Sequence, residues 1–169
     1  MNDSQHVRLV VMGVAGCGKS SLGSALAERL GGDLIEGDDY HSPESRDKMR
    51  QGVALTDADR AGWLATLAGL LQNAPGDIVL TCSALRRTYR DQLRAAAPSL
   101  RFAFLHITPD TARARVAERS AHFFNSKLVD SQFATLEDPS GEPGVLRLDA
   151  TTPLQALVEQ TAEWLNVPA

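Results

Sequence analysis

No apolar run in the chain approaches the roughly 20 residues that a helix needs to cross a bilayer, so the sequence predicts no membrane partner. The polar start MNDSQH lacks the apolar core of a secretory signal. Only two cysteines occur, Cys17 and Cys82, without metal-like spacing and with no need to pair. A reducing cytoplasm is the expected compartment. Repeats, low-complexity tracts and linkers are missing too, and 169 residues suit one domain with a proper core. Lysine is scarce, at 3 of the 17 basic residues, which leaves 14 arginines. A net charge of −4 argues against a nucleic-acid partner.

What is present begins with GVAGCGKSS, residues 13–21. Gly13, Gly18, Lys19 and Ser20 fit the spacing G-x-x-x-x-G-K-[ST], with Gly16 between them. Glycines let backbone N–H groups turn inward around phosphate oxygens, and the next helix points its positive end at the same place. Lys19 then reaches the β- and γ-phosphates, and the Ser20 hydroxyl ligates Mg²⁺. The Val-rich run 7–12 ahead reads as a buried parallel strand. Leu22, Leu26 and Leu30 after it have helical spacing, and Gly31 stands at the C-terminal cap position. Cys17 lies near that helix start, where a thiolate is favoured, although an inert small residue is the plainer reading.

Strand-like and helix-like pieces alternate along the chain. Apolar runs fall at 7–12, 33–35, 77–82, 101–107 and 145–149, and helical patterns at 20–30, 43–51, 57–73, 86–96, 109–119 and 153–165. Ser42-Pro43, Thr108-Pro109 and Thr152-Pro153 each set an N-cap hydroxyl before a first-turn proline. Thr56 with Asp59 resembles a capping box ahead of the stripe Trp63, Leu64, Leu67, Leu70, Leu71. This alternation predicts a three-layer α/β domain with a mostly parallel sheet, and ligands at the C-terminal strand ends.

EGDDYH, residues 36–41, follows the second strand. An alcohol that accepts a phosphoryl group needs a carboxylate to orient its hydroxyl and take its proton, and Asp38 or Asp39 suits. His41 either joins them or bonds the loop backbone. CSALRRTYRD, residues 82–91, follows the third strand, with Arg86 and Arg90 four apart and able to clamp an anion. Residues 118–139 have weak periodicity and many polar side chains, as a lid does. Arg115 and Arg119 stand at its hinge, and closure there would exclude water. Phe123 and Phe124 read as core or as lid anchors. The residues alone therefore reach ATP, an alcohol acceptor and an Arg-lined pocket for an acidic substrate.

MGVAGCGKSS, EGDDYH, KMRQGVALTDADRAGWL, CSALRRTYRDQLR and HFFNSKLVDSQFATLEDP, in this order and spacing, resemble the bacterial-type gluconokinase family. Its relatives are the shikimate and nucleoside monophosphate kinases, and the resemblance runs over residues 7–165. It implies a P-loop kinase fold with a five-stranded parallel sheet, core 7–118 and 138–166, and a lid near 119–137. It implies transfer of the ATP γ-phosphoryl to the 6-hydroxyl of D-gluconate with Mg²⁺, by a cytoplasmic homodimer. The same resemblance assigns Lys19, Asp38 and Arg119 to catalysis. It assigns Gly13, Gly16, Gly18, Lys19, Ser20, Ser21 and Arg115 to the nucleotide. To the sugar acid it assigns Asp38, His41, Arg60, Arg86, Arg90 and Gln132, with Arg60 and Arg90 on the carboxylate. Two positions depart from the family pattern: Cys17 replaces the more usual Ser, and Gly62 stands where Pro is common and loosens the helix start.

Overall fold

Five apolar runs pair side by side in the computed structural model, which describes residues 6–118 and 126–167. They are β1 (Arg8–Met12), β2 (Asp33–Glu36), β3 (Ile78–Thr81), β4 (Arg101–His106) and β5 (Val145–Asp149). The order is β2-β3-β1-β4-β5, and every pairing is parallel. Between them run α1 (Lys19–Leu30), α2 (Pro43–Arg50), α3 (Asp57–Gln72), α4 (Arg87–Ala96), α5 (Pro109–Glu118), α6 (Ser126–Thr135) and α7 (Leu154–Leu165).

Side chains alternate across a strand, so each strand feeds two cores. Leu9 and Val11 face Leu22 and Leu26 of α1, Val116 of α5 and Leu157 of α7. Val10 and Met12 face Trp63, Leu64 and Leu67 of α3 and Leu93 of α4. Helix layers thus cover both faces, and the expected three-layer architecture stands. All four β1 residues from Leu9 to Met12 are fully buried, which explains why the run is apolar throughout rather than alternating.

The helix starts follow their caps. Ser42 Oγ accepts from Ser45 N, and Thr56 and Asp59 form both halves of the capping box. Thr108 Oγ1 accepts from Thr111 N at 3.4 Å. The third Thr-Pro pair behaves differently: Pro153 itself is the N-cap residue of α7 and has no side-chain oxygen to cap with, while the Thr152 N–H donates to Asp149 O. Gly62 lies inside α3, and a Cβ there would meet nothing within 4 Å. The helix α6 is absent from the sequence expectation, since its periodicity is masked by polar residues. It falls within the segment read as a lid, yet Leu128 and Val129 are buried. Arg119, Phe123 and Phe124 lie outside the described residues.

Candidate active site

The loop from β1 to α1 turns through left-handed glycines, with φ of +146° at Gly13, +84° at Gly16 and +97° at Gly18. A Cβ on Gly13 would stand 2.7 Å from Cys17 Sγ and 2.9 Å from Leu105 O, so the loop closes only with glycine there. Lys19 folds over this loop, its Nζ donating to Gly13 O at 3.0 Å and Val14 O at 3.2 Å. Cys17 is buried, and that burial pushes its thiol up despite the opposing charges of Lys19 and Arg115. The helix start therefore does not make a thiolate, and the inert reading is the one the structure supports.

Ser20 Oγ donates to Glu36 Oε2 at 2.6 Å. Glu36 ends β2, and its Oε1 is buried with no hydrogen-bond partner among the described residues. A hydroxyl beside a carboxylate with spare acceptor capacity fits Mg²⁺, which takes oxygen ligands, keeps several waters and relies on phosphates for the rest. Sequence reasoning missed Glu36 by weighing only the two aspartates of its motif. On the other side of the loop, Arg115 donates to Gly16 O at 3.2 Å and to Ala150 O at 3.1 Å. It borders an open cleft with Gly18, Ser21, Ala150 and Leu154.

A second cleft gathers Asp38, His41, Arg60, Trp63, Ser83 and Gln132. These residues come from four separate stretches of the chain. Asp38 sits on a 3-10 turn, Gly37–Tyr40, at the end of β2. Gly37 is needed there, because a Cβ would lie 2.3 Å from Thr81 O. Burial works to raise the Asp38 carboxyl, but the bond from His41 and the charges of Lys19 and Arg46 outweigh it and hold it below its ordinary value. Asp38 is thus an ionised acceptor at neutral pH. Asp39 is exposed on the same turn.

His41 stacks on Trp63 at 4.2 Å between ring centroids, with Nε2 facing Asp38 at 3.6 Å. Trp63 Nε1 donates to Gly37 O at 2.7 Å, so the tryptophan fixes the turn that carries Asp38. Neither Trp63 nor Ser83 was expected as a site residue. The tryptophan was read as part of an apolar stripe, which it also is. Arg60 is buried, and its Nη1 donates to Leu55 O at 3.1 Å and to Tyr89 Oη at 3.3 Å. The Tyr89 hydroxyl in turn donates to Asp57. Among the described residues nothing accepts from Arg60 Nε or Nη2, which remain for a ligand.

Arg86 and Arg90 do not form the expected clamp. Arg90 is fully buried, donating to Ala84 O at 2.7 Å, to Glu137 O at 2.9 Å and to both Glu142 carboxylate oxygens. Four of its five N–H groups are taken by protein, and it does not line the acceptor cleft. Ala84 holds φ of +47°, unusual for a residue with a Cβ. The bond from Arg90 secures that strained turn beside Ser83. Arg86 is exposed, 3.9 Å from Asp57. They diverge because Arg90, inside α4, turns to Glu142 in the loop before β5, whereas Arg86, the extended N-cap residue, stays at the surface.

Comparison with known proteins follows from this geometry. The AAA domain family model (AAA_33) matches residues 9–139. A gluconokinase from Gluconobacter oxydans is 43% identical over 157 residues, covering 90% of this chain and 87% of that protein. The thermoresistant gluconokinase of Escherichia coli is 37% identical over 166 residues, covering 96% and 94%. Among solved structures, a gluconokinase from Sinorhizobium meliloti superposes with a TM-score of 0.83 at 43% identity over 95% of both chains. A sugar kinase from Janibacter gives 0.90 at 38% identity, covering 96% and 95%. A shikimate kinase from Bacteroides thetaiotaomicron, 18% identical with a TM-score of 0.63 over 95% of this chain and 99% of its own, shares the fold. At 43% and 37% identity to two gluconokinases over 90% and 96% of its length, the chain belongs to the gluconokinase family.

Proposed function

We propose that the protein transfers the γ-phosphoryl group of ATP to the 6-hydroxyl of D-gluconate, giving 6-phosphogluconate and ADP. The observation that carries this reading is the convergence of Asp38, Arg60 and Gln132 on one cleft beside the phosphate loop, in a chain of this family. The new bond joins the acceptor oxygen to the γ-phosphorus, and the bond from that phosphorus to the β,γ-bridging oxygen breaks. Asp38, kept ionised, accepts the hydroxyl proton as that oxygen bonds. Arg60 binds the carboxylate end through the donors it keeps free, which sets the 6-hydroxyl against Asp38. His41 holds Asp38 in place from its stack on Trp63. Lys19 leaves its two loop carbonyls for the phosphates, and the loop N–H groups bind the same oxygens. The Ser20 hydroxyl and Glu36 would hold Mg²⁺, which would supply charge neutralisation at the phosphates. Arg115 lies beside the adenine end of the cleft. The family resemblance assigns Arg119, which lies outside the described residues, to stabilising the transferring phosphoryl.

The family likeness supports a homodimer, which light scattering on purified protein tests, and a cytoplasmic location, which cell fractionation tests. The test of activity is ADP production with Mg²⁺-ATP across gluconate, other aldonic acids, shikimate and nucleoside monophosphates. Phosphorylation of gluconate well above the rest is expected. Preference for another acceptor overturns the assignment of the Arg60 pocket while keeping phosphoryl transfer. Absence of any acceptor-dependent turnover overturns the kinase reading.

A further inference from the structure

We infer that Gln132 is a strut shared by the two substrates, its Oε1 holding the phosphate loop and its Nε2 donating to the acceptor. Gln132 is buried, and its Oε1 accepts from Ala15 N, inside the phosphate loop, at 2.7 Å. Only the carbonyl oxygen of a carboxamide can accept an N–H, so this bond fixes which way the amide is turned. The Nε2 end is thereby left with no acceptor among the described residues. It borders the cleft that Asp38 and Arg60 share. That donor opens on the cleft, where a ligand oxygen can accept from it.

The chemistry it selects is complementary to its neighbours. Asp38 accepts and Arg60 carries charge, whereas a neutral N–H₂ suits the lone pair of a hydroxyl or carboxylate oxygen on a polyol acid. The strut is anchored from behind. Leu128, Ser131 and Gln132 share one face of α6 at spacings of three and four, and Leu128 packs with Met49 and Leu55 on the wall of the same cleft. An acceptor that seats against Nε2 therefore steadies the helix whose other bond holds Ala15. Coupling between two sites is reciprocal, so the acceptor tightens nucleotide binding and the nucleotide tightens acceptor binding. Gln132 is in this sense a positioning residue for the phosphate loop, and the inference rests on the acceptor reading of the cleft.

Two variants separate the two ends. Gln132→Met removes both bonds without adding charge, and Gln132→Glu keeps an acceptor for Ala15 N but loses the donor. Calorimetry with a non-hydrolysable ATP analogue, with and without saturating gluconate, reads the coupling, and steady-state kinetics read KM and kcat. In the unmodified protein gluconate should lower the nucleotide Kd by about fivefold or more, the usual scale of such coupling. Gln132→Met should abolish that ratio and raise the gluconate KM by about tenfold, the scale of one lost bond to a charged group. Gln132→Glu should raise KM comparably while its nucleotide Kd without gluconate stays within about twofold, since the Ala15 bond persists. Absence of coupling in the unmodified protein, or a Gln132→Met variant with unchanged KM and coupling, overturns the strut. Should Gln132→Met fail to fold by thermal melting, Gln132→Glu decides, an unchanged KM being the overturning result. If the acceptor panel selects another polyol acid, the measurements are made with that acid. If no acceptor supports turnover, the kinase reading fails, and a nucleotide Kd unchanged in Gln132→Met then overturns the Ala15 half separately.

Discussion

Single side chains divide the work between orientation and charge. Asp38 is held below its ordinary carboxyl value by His41, Lys19 and Arg46 against the effect of burial. Replacing it by Asn leaves the shape and removes the base. Asp38→Asn should lower kcat by a factor on the order of 10² or more, the scale of general-base catalysis, with little change in nucleotide affinity. Steady-state kinetics beside an ATP-analogue titration check this, and near-normal turnover would remove Asp38 from the reaction. Arg60 shows the opposite balance. It touches Leu55 and Tyr89 with one nitrogen and offers the others to the cleft. Arg60→Ala should raise the gluconate KM about tenfold or more, as loss of a charge-assisted pair does, while kcat falls less. An unchanged KM would place the carboxylate elsewhere. Both residues were legible from their motifs. Glu36 and Trp63 were not, since one looked like the preface to an acidic turn and the other like core.

Elements hold these side chains, and here tertiary contact overrode spacing. Arg86, the N-cap residue of α4, and Arg90 within it are four apart, which reads as a clamp, yet the depth of each position in the fold decides its partner. Arg90 is closed in by Glu142, itself 7% exposed, and Arg94 shares that carboxylate. Burial works against the Glu142 carboxylate, but its bonds to Arg90 and Arg94 hold it below its ordinary value. Glu142→Gln leaves a buried guanidinium under-compensated, at a cost of about 3 kcal/mol. The melting temperature should fall by about 10 °C, and a change of under about 2 °C would show that the carbonyls of Ala84 and Glu137 suffice. At Gly62 the expected sign is reversed. A Cβ inside α3 meets open space there, so Gly62→Ala should stabilise by about 0.5–1 kcal/mol through the unfolded chain. Urea unfolding reads it, and destabilisation would mean that the helix needs the glycine.

At the scale of the whole molecule, lowered carboxyls set the acid limit. Asp38, Asp59 and Glu142 all titrate below their ordinary values, and Asp59, bonded to Lys48 and to Thr56, falls to about 2. The unfolded chain takes up protons at such groups first as pH falls, so it is favoured on the acid side. Their stabilisation is complete above the ordinary carboxylate range and is lost as pH drops toward the lowered values. The urea midpoint should stay level from about pH 7 to 5 as far as these groups act, and decline below about pH 4. A midpoint that rises in acid would contradict the assignment.

By itself the sequence determined the layers, the strands and the phosphate loop, because these rest on local rules. A run such as Leu9–Met12 is buried on both faces, Thr56 and Asp59 cap within four residues, and glycines at 13, 16 and 18 satisfy the backbone of one short loop. It also pointed to Asp38, Arg60 and Gln132 through motifs that travel together. Tertiary structure alone decided which cations face a ligand and which are consumed by protein, because that depends on groups far apart in the chain. Arg90 and Glu142 are 52 positions apart, and Ala15 and Gln132 are 117 apart. No local pattern encodes such distances; α4 meeting the loop before β5, and α6 meeting the phosphate loop, bring these groups together.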